Sequence, residues 1–421
     1  MSTSPESTLT VTRSRLAGEV TISGAKNSAL RLLAASLLTE DDVSLYNYPA
    51  GILDAQVHVQ MLEALGKTCA VDGDFIRIAE PSSLNQTLNW EGRSIRNTLL
   101  ILGALTARFG RGAVPLPGGC KLGERKYDIH VMLLEALGAT VSEEGDMLVA
   151  EAKDGHLTGA DIHLPIRSTG ATENSIICGT LARGTTRVWN PHIRPEILDL
   201  IDLLRKMGAK IEVRGQESII IHGTDSLKGC DHTVIPDNVE AFTWLIGSAI
   251  TGGDVLMHNF PFEHLEIPLI HLRESGVEVF RHGETAIVRG KEVYPVEIST
   301  GPYPGINSDM QPLFAVLGAV AQGETRIVDL RFPGRYGYAD ELAKMGVRHE
   351  VKDNLLRIHG GTPLHGADVT ALDLRAGAAL MLAGMIADGE TTIHNAWQIE
   401  RGYCGLMAKL AALSINASRQ S

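Results

Sequence analysis

The stretch LEALGKTCAV, residues 62–71, recurs along the chain with small changes, and this recurrence is the strongest indication of the fold. Further copies are LEALGATVSE (134–143), LRKMGAKIEV (204–213), LRESGVEVFR (272–281) and LAKMGVRHEV (342–351). Their glycines follow one another at intervals of 72, 70, 68 and 70 residues, and a sixth copy, LAALSINAS (410–418), has Ser414 in the glycine position. A regular interval of about 70 residues indicates a repeat architecture.

Each copy has the pattern of a helix that ends at a glycine and continues into a strand. Glycine is expected just after the last helical residue because it adopts the left-handed backbone conformation there without a Cβ penalty. A second recurring phrase lies between the copies, an apolar helix rich in glycine and alanine that leads into a strand. Its examples are CGTLARGTTRVWN (178–190), IGSAITGGDVLMHN (246–259), LGAVAQGETRIVD (317–329) and AGMIADGETTIHN (383–395).

The two phrases together predict six α/β units, each with two helices and several strands. Small-residue helices such as GAALMLAG, residues 377–384, are apolar nearly all round, so they should be buried between sheets. Six units of about 70 residues suggest two domains of three units, with sheets outside and helices inside. The functional site would then lie where the two domains face each other.

The composition is that of a folded globular protein with an acidic balance of charges. Of the 421 residues, 44% are hydrophobic, 21% charged and 5% aromatic, and the net charge is −12. This balance argues against general binding to nucleic acid or to an anionic membrane, for which a basic face supplies most of the affinity. A membrane-spanning helix needs an apolar run of about 18 residues, and the sequence has no run of that length. Residues 1–10 lack the features of a secretory signal.

The cysteines and the missing motifs narrow the class of protein further. The five cysteines are far apart and odd in number, namely Cys69, Cys120, Cys178, Cys230 and Cys404. They fit a reducing compartment better than a disulfide framework or a zinc site, so we expect a cytoplasmic protein. The sequence lacks the Gly-x-Gly-x-x-Gly, Walker A, His-Glu-x-x-His and Gly-x-Ser-x-Gly motifs, which removes the usual support for dinucleotide redox, ATP hydrolysis and zinc hydrolysis.

One stretch combines a cysteine with glycines and basic residues: LPGGCKLGERKYDIH, residues 116–130. Three glycines and a proline predict an exposed, mobile loop, which is a poor place for a cysteine with only a packing role. Lys121 and Arg125 would favour the thiolate form of Cys120 and lower its pKa. Cys120 is therefore a candidate reactive residue, with a structural or incidental role as the alternative.

Four arginines occur in short motifs at element boundaries: Ser94-Ile-Arg96, Pro333-Gly-Arg335, Asp373-Leu-Arg375 and Glu400-Arg401. The planar guanidinium suits phosphate and carboxylate groups. If these arginines converge in one cleft of an acidic protein, they form a pocket for a small polyanion. Taken singly, each would more often be a surface or ion-paired arginine.

Two further stretches carry candidate polar residues. Gly24-Ala-Lys26-Asn27 places a lysine where it can contact an anion. In Ile306-Asn307-Ser308-Asp309, the aspartate could accept a proton from a hydroxyl group. The alternative for Asp309 is the N-cap of the helix that the following Met-Gln-Pro-Leu-Phe run predicts, and both roles could hold.

With these motifs the sequence resembles the enolpyruvyl transferases, and among them the UDP-N-acetylglucosamine 1-carboxyvinyltransferases of peptidoglycan synthesis. The likeness runs from about residue 16 to 413. It is carried by GEVTISGAKN (18–27), PGGC (117–120), GATEN (170–174), PD (236–237), DMQ (309–311), DLRA (373–376) and RGY (401–403). The resemblance implies an inverted α/β barrel of two domains, each built from three βαβαββ units. By this likeness residues 25–235 form one domain, and residues 1–24 with 236–421 form the other.

The resemblance also implies a reaction. Enzymes of this family, of EC 2.5.1 type, transfer the enolpyruvyl group of phosphoenolpyruvate to an acceptor hydroxyl with release of phosphate. The reaction is an addition followed by an elimination through a tetrahedral ketal, and it needs no metal and no cofactor. The implied partners are phosphoenolpyruvate and a uridine-nucleotide acceptor, with no nucleic acid and no membrane.

Residues that match the family motifs take over the family roles. The resemblance implies catalytic roles for Cys120, Asp309 and Lys26. It implies substrate-binding roles for Asn27, Arg96, Arg125, Asp128, Ser168, Gly170, Arg335, Asp373, Arg375 and Arg401. In the family, the cysteine acts as the acid toward C3 and can bond covalently to phosphoenolpyruvate, and the aspartate takes the acceptor's proton. Lysine and arginines surround phosphate and carboxylate, the residue at Asn27 contacts acceptor and intermediate, and those at Asp128, Ser168 and Gly170 contact the nucleotide.

The chain departs from the family pattern mainly among residues that face the acceptor. The usual Arg-Pro-Val-Asp is Arg-Lys-Tyr-Asp at 125–128, Phe-Pro-Thr-Asp is Ile-Asn-Ser-Asp at 306–309, and Arg167 precedes Ser168 where proline is common. Because contacts in the binding pocket set specificity, these departures bear on the identity of the acceptor more than on the type of reaction. Lys126 and Arg167 could bind a terminal phosphate.

The hypothesis is an enolpyruvyl transferase with UDP-N-acetylglucosamine as the default acceptor. The alternative is a specialised paralogue that uses the ribose hydroxyl of UMP in a nucleoside-antibiotic pathway. A further alternative, from a different functional class, is a regulator that binds nucleotides without catalysing a reaction. A 5-enolpyruvylshikimate-3-phosphate synthase is a third possibility, which the Cys120 loop and the GATEN segment fit poorly.

Overall fold

The computed structural model describes residues 7–93, 95–116, 127–290 and 292–420. The chain divides into two compact units. Unit 1 comprises Met1–Ser23, Gly51–Leu53 and Pro236–Ser421. Unit 2 comprises Gly24–Ala50 and Asp54–Ile235. The predictions for residues 117–126, which include Cys120 and Arg125, lie outside the described residues.

The described residues form 23 strands. They are β1 (Thr8–Thr12), β2 (Ala17–Thr21), β3 (Val43–Tyr46), β4 (Thr68–Asp72), β5 (Phe75–Ala79), β6 (Arg111–Pro115), β7 (Ala139–Glu144), β8 (Met147–Ala152), β9 (Asp161–His163), β10 (Thr185–Trp189), β11 (Lys210–Arg214), β12 (Ser218–His222), β13 (Cys230–Thr233), β14 (Asp254–His258), β15 (Glu278–His282), β16 (Thr285–Arg289), β17 (Glu297–Ser299), β18 (Glu324–Val328), β19 (Arg348–Lys352), β20 (Leu355–His359), β21 (Asp368–Thr370), β22 (Glu390–His394) and β23 (Ala417–Gln420).

The same part of the chain forms 13 α-helices, with short 3₁₀ helices at Ser36–Leu38 and Phe262–His264. The α-helices are α1 (Lys26–Ala35), α2 (Leu53–Leu65), α3 (Thr98–Phe109), α4 (Asp128–Ala136), α5 (Thr169–Leu181), α6 (Pro195–Lys206), α7 (Asn238–Thr251), α8 (Glu266–Glu274), α9 (Gln311–Val320), α10 (Gly337–Ala343), α11 (Leu374–Gly384), α12 (Trp397–Glu400) and α13 (Leu406–Ala412). Among the described residues, no helix is both long enough and apolar enough to span a bilayer.

Among the described residues, each unit has three sheets, and the five four-stranded sheets share one internal plan. In unit 2 the strand orders are β13-β3-β5-β4, β11-β12-β10-β9 and β6-β8-β7, and in unit 1 they are β21-β22-β1-β23, β15-β16-β14-β2 and β17-β18-β20-β19. Every four-stranded sheet contains one parallel pair and two antiparallel pairs. The predicted α/β class is confirmed, and the barrel form of each domain stays a prediction.

Small-residue helices form the core of each unit, as the sequence predicts. Helices α3 and α5 pack together in unit 2, and α7, α9 and α11 pack together in unit 1. The two helices can approach closely because glycine has no side chain. A Cβ on Gly103 of α3 would lie 1.9 Å from Asn174 Oδ1 of α5. In unit 1 the rings of Phe242 and Phe314 lie 5.0 Å apart and join α7 to α9. The buried-helix prediction is therefore confirmed.

The recurring glycine has the conformation predicted for it. Gly66, Gly138, Gly208, Gly276 and Gly346 all have positive φ, between 86° and 111°. Ser414, in the sixth copy, has a φ of 58°. The backbone turn at the end of this helix is thus kept even where the residue is not glycine, because the chain must reverse into the following strand.

Candidate functional site

In unit 1, Asp309 lies in the turn that precedes α9. The helix begins at Gln311 and its N-cap residue is Met310, so the interpretation of Asp309 as the N-cap is wrong. The Asp309 carboxylate instead faces two guanidinium groups. Arg335 Nη1 donates to Oδ1 at 3.1 Å, and Arg375 Nε donates to Oδ2 at 3.3 Å.

Arg335 lies in the loop that leads into α10, and its side chain is only 10% exposed. It bridges two acids, because its Nη2 donates to Asp373 Oδ2 at 2.9 Å. Its carbonyl oxygen accepts from Gln311 Nε2 at 2.8 Å, which ties the loop to α9. Burial alone would lower the pKa of Arg335, but the Asp309 and Asp373 carboxylates outweigh burial and raise it above its usual value. Arg335 is therefore held as a cation in a protected position.

Asp373 and Arg375 lie at the start of α11. Asp373 is the N-cap, and its Oδ1 accepts from the backbone N–H groups of Arg375 and Ala376 at 2.8 Å each. This cap explains why the acid precedes the arginine by two residues: one carboxylate oxygen holds the helix end and the other holds Arg335. Asp309, Arg335, Asp373 and Arg375 form one continuous network, which we call the unit 1 cluster.

Arg375 is the most buried member of the unit 1 cluster, with a side chain 1% exposed. Its guanidinium carbon lies 5.4 Å from the centre of the Tyr403 ring, a distance at which a cation and an aromatic ring attract. Burial alone would lower its pKa, but Tyr403, Asp309 and Asp237 together raise it above its usual value. Among the described residues, Arg375 Nη1 has no hydrogen-bond partner. A buried donor in this state is suited to an anionic acceptor.

Arg401 follows α12 directly, and its Nη1 donates to Gln398 Oε1 at 3.0 Å. The next residue, Gly402, runs close to Arg375: a Cβ there would lie 3.1 Å from Arg375 Nη1 and 2.4 Å from Leu374 Cδ1. The segment that carries Arg401 therefore borders the unit 1 cluster. Three of the four predicted boundary arginines thus lie in one region of unit 1.

In unit 2, Lys26 is the first residue of α1 and is almost fully buried. Its Nζ lies 2.8 Å from Asp54 Oδ2, in an ion pair whose side chains are 9% and 6% exposed. Asn27 follows on α1 and is half-buried. Sequence reasoning missed Asp54, because no motif or spacing relates it to Lys26.

The predicted nucleotide-contacting residues of unit 2 come together around His130. Ser168 is the N-cap of α5 and accepts from Ala171 N at 3.3 Å. A Cβ on Gly170 would lie 3.3 Å from His130 Nε2, and His130 is in the first turn of α4, which begins at the exposed Asp128. Two helix N-termini therefore present Asp128, Ser168 and Gly170 in one region.

His130 is held neutral in this region. Burial, with a smaller contribution from the Arg96 charge, lowers its pKa to about 3. Asn174 Nδ2 contacts its Nδ1 at 3.1 Å, which fits a ring with the proton on Nε2. Arg96 itself is exposed and lies in the turn before α3. Sequence reasoning missed His130, which gave no signal beyond its place in the Cys120 stretch.

The described residues contain no group of three or more His, Cys, Asp or Glu side chains able to hold a metal ion. The predicted site residues that the structure describes include five basic side chains, one hydroxyl, one amide and the three acids Asp128, Asp309 and Asp373. The basic side chains can bind anions through charge-assisted hydrogen bonds. Arg167, the residue that departs from the family pattern before Ser168, donates through Nε to Asn190 Oδ1 at 3.2 Å.

Comparisons with known proteins agree over nearly the whole chain. The family model described as EPSP synthase (3-phosphoshikimate 1-carboxyvinyltransferase) matches residues 11–410. The UDP-N-acetylglucosamine 1-carboxyvinyltransferase of Sorangium cellulosum is 40% identical over 408 residues, covering 96% of each chain. The enzyme of that name from Novosphingobium aromaticivorans is 39% identical over 414 residues, covering 96% of this chain and 97% of its own.

Solved structures agree as well. The enolpyruvyl transferase NikO from Streptomyces tendae superposes with a TM-score of 0.90 at 28% identity, covering 99% of each chain. An EPSP synthase from Acinetobacter baumannii superposes with a TM-score of 0.76 at 18% identity, covering 99% of this chain and 100% of its own, which speaks for the fold alone.

Proposed function

The chain belongs to the EPSP synthase family of enolpyruvyl transferases, and we propose that it transfers the enolpyruvyl group of phosphoenolpyruvate to a hydroxyl of a uridine nucleotide. The protein is an enzyme of the carboxyvinyltransferase class. UDP-N-acetylglucosamine is the acceptor we propose first, because curated relatives about 40% identical over the whole chain carry that acceptor in their names.

The observation that carries this proposal is the unit 1 cluster. Phosphoenolpyruvate bears a phosphate and a carboxylate, and each suits a guanidinium fork. Arg335 and Arg375 are buried and fixed by the acids Asp309 and Asp373 before any substrate binds. Such preorganised charge costs little reorganisation when negative charge must be held in a transition state.

We propose Asp309 as the proton acceptor. Whether its carboxylate can accept a proton depends on the guanidinium groups of Arg335 and Arg375. Both of its oxygens accept from guanidinium groups, at 3.1 and 3.3 Å. A substrate anion that draws the guanidinium donors toward itself would leave an Asp309 oxygen open to the acceptor hydroxyl. The base would then be available only when both substrates are in place, which limits wasteful hydrolysis of phosphoenolpyruvate.

The proposed steps balance as an addition and an elimination. In the addition, the Cys120 thiol gives its proton to C3, the acceptor oxygen bonds to C2, and Asp309 takes the proton of the acceptor hydroxyl. The product is a tetrahedral ketal that still carries phosphate. In the elimination, the Cys120 thiolate takes a proton back from C3, the C2–C3 double bond re-forms, and the C2–O bond to phosphate breaks. The phosphate leaves with the proton that Asp309 took in the addition. The arginines of the unit 1 cluster hold the phosphate during both steps.

In unit 2 we propose that the uridine nucleotide lies against the starts of α4 and α5. Ser168 and Gly170 open α5, where the free N–H groups and the helix dipole favour a phosphate. Asp128 can accept from the N–H of a uracil base. Arg96 and Arg125 are the unit 2 arginines that we propose for binding the anionic groups of phosphoenolpyruvate.

UMP is the second candidate acceptor, favoured by the departures from the family pattern at the acceptor residues. Arg167 is a basic residue beside the Ser168 cap, held by Asn190, and it could bind the terminal phosphate of a mononucleotide. The same residue in front of a diphosphate-sugar would meet an internal phosphate instead.

The experiment compares acceptors directly. Purified protein is incubated with phosphoenolpyruvate and, separately, UDP-N-acetylglucosamine, UMP or shikimate 3-phosphate, and both released phosphate and product mass are measured. Enolpyruvyl product with the diphosphate-sugar supports the first acceptor, and product with UMP supports the second. Tight uridine-nucleotide binding with no phosphate release would contradict the proposal and favour a non-catalytic regulator, while product with shikimate 3-phosphate would contradict the uridine acceptor.

A further inference from the structure

Asp329 is a fully buried carboxylate that the proposed reaction does not use. It follows β18 directly and is 0% exposed. Its Oδ1 accepts from Thr300 Oγ1 at 2.7 Å and from the backbone N–H groups of Arg331 and Phe332 at 2.9 Å each. Its Oδ2 accepts from Ser308 Oγ at 2.5 Å. Four donors therefore converge on one side chain, which compensates the cost of burying its charge.

Three of these four donors, all except Thr300, belong to segments that carry the unit 1 cluster. Ser308 immediately precedes Asp309, and its Oγ also lies 3.5 Å from Arg335 Nη1. Arg331 and Phe332 begin the loop that ends at Arg335. Asp329 thus binds both the segment that carries the acid and the segment that carries its guanidinium partner.

The backbone of Asp329 also makes hydrogen bonds that hold the end of this loop. Its N–H donates to the Tyr336 hydroxyl at 2.8 Å, and that hydroxyl donates to the Asn354 carbonyl at 2.9 Å. Asn354 Nδ2 in turn donates to the Asp329 carbonyl at 2.9 Å. The loop from 329 to 336 is consequently held at both ends by one residue.

The other repeats have a different residue and a different backbone conformation at the position of Asp329. At the matching position after β3, β10, β14 and β22, the chain has Asn47, Asn190, Asn259 and Asn395, all with φ between 52° and 57°. The side-chain amides of the first three donate to backbone carbonyls of neighbouring segments. The repeat that carries Asp309 and Arg335 has a carboxylate at this position instead, and its backbone does not adopt the positive φ of the asparagines.

We infer that Asp329 is a positioning residue for the transfer reaction: its carboxylate holds Ser308 and the loop 331–335 together, and so sets Asp309 against Arg335. The inference rests on the proposed roles of Asp309 and Arg335. An asparagine at this position keeps one acceptor oxygen for Thr300 and the loop N–H groups, but it turns a donor amide toward Ser308. The Ser308 hydroxyl then accepts instead of donating, and the segment next to Asp309 shifts while the fold persists.

The test measures kcat and KM for Asp329→Asn with phosphoenolpyruvate and the working acceptor. We expect kcat to fall about 100-fold, the size of effect that a displacement of about 1 Å produces at a reacting group, with KM for the acceptor little changed. Ser308→Ala should also lower kcat, but by less than Asp329→Asn does. Ser308→Thr, which keeps the hydroxyl, should have a kcat close to that of wild type. In an Asp309→Asn background, adding Asp329→Asn should lower kcat by less than about threefold, because the residue acts through Asp309.

Asn259→Gly is the matched control. It removes the corresponding side-chain hydrogen bond, to the Ile22 carbonyl, at the same position of a neighbouring repeat and leaves a residue that accepts positive φ. We expect it to lower Tm without changing kcat. The inference is overturned if Asp329→Asn keeps wild-type kcat, or if its loss multiplies fully with that of Asp309→Asn.

Failure of the proposed function is a separate result. If wild-type protein releases no phosphate with any acceptor, the reaction proposal fails, and a crystal structure of Asp329→Asn decides the inference instead. A displaced Asp309, with its Oδ1 farther than the present 3.1 Å from Arg335 Nη1, supports positioning by Asp329. An unchanged pair overturns it.

Discussion

At the scale of single residues, the environment decides which of several similar side chains can do chemistry. Burial raises the pKa of the Cys69 thiol to about 12 and raises that of Cys178 as well. Such thiols stay protonated and unreactive at neutral pH. Cys120, by contrast, lies in a stretch with Lys121 and Arg125, although its placement is outside the described residues.

We predict that fosfomycin, an epoxide mimic of phosphoenolpyruvate, alkylates Cys120 and no other cysteine. The basic neighbours favour the thiolate, which is the attacking form. Peptide mapping by mass spectrometry after incubation with fosfomycin and the uridine acceptor locates the adduct, and Cys120→Ser should show neither adduct nor normal turnover. An adduct on Cys69 or Cys178, or none on intact protein, would contradict the assignment.

Two buried histidines give a pH dependence of stability. Burial, aided by Arg31, lowers the pKa of His58 to about 3, and His130 is lowered to about 3 as well. The unfolded chain binds a proton near pH 6.5 while the folded chain does not, so the free energy of unfolding falls as the pH drops below about 6.5. Each histidine contributes a slope of about 1.4 kcal/mol per pH unit between these limits.

We therefore predict that His58→Gln reduces the pH dependence of stability, although it also removes a native contact. Urea denaturation at pH 7, 6 and 5 should give a shallower decline for the variant than for wild type, and His58→Gln/His130→Gln should be shallower still. Parallel curves for wild type and both variants would show that the histidines do not carry the effect.

At the scale of elements, the recurring helix–strand turn depends on backbone conformation more than on contacts. Gly208 has a φ of 108°, and nothing lies within 4 Å of the place where a Cβ would be. Any cost of adding a side chain there is therefore conformational. The repeat thus keeps glycine because of local sterics, a reason that the sequence pattern alone reveals.

Gly208→Ala should lower the free energy of unfolding by about 1–2 kcal/mol, the cost of a left-handed backbone for an L-residue. Gly301 is the matched control, because a Cβ there also meets nothing within 4 Å and its backbone lies outside the left-handed region. Gly301→Ala should be neutral or stabilise by up to about 1 kcal/mol. Equal losses in the two variants, measured by urea denaturation, would contradict the conformational explanation.

At the scale of the whole molecule, the strand registers separate the two units. All strands of the three unit 2 sheets, β3 to β13, lie between residues 24 and 235. Strand β1 pairs with β22 and β23, and β2 pairs with β14, so the partners of the first two strands all follow residue 235. Unit 1 therefore needs both ends of the chain, while unit 2 does not.

We predict that a fragment of residues 24–235 folds alone and unfolds cooperatively in urea. A fragment of residues 1–235 is the control: it adds β1 and β2 without their partners, so exposed strand edges should promote aggregation. Circular dichroism and size-exclusion chromatography measure both properties. A 24–235 fragment without a cooperative transition, or a 1–235 fragment that is equally well behaved, would contradict this division.

The repeats, the α/β class, the turn glycines such as Gly208 and the family could all be predicted from the amino-acid sequence. Each of these follows from local patterns of a few residues, such as helix periodicity, a turn residue or a contiguous motif. The pairing of Asp309 with Arg335 and Arg375, by contrast, joins residues 26 and 66 positions apart, and the role of Asp329 depends on three separate segments. These partners could be identified only from the folded chain, because a charge pairs with the counterion nearest in space, whatever their spacing along the chain.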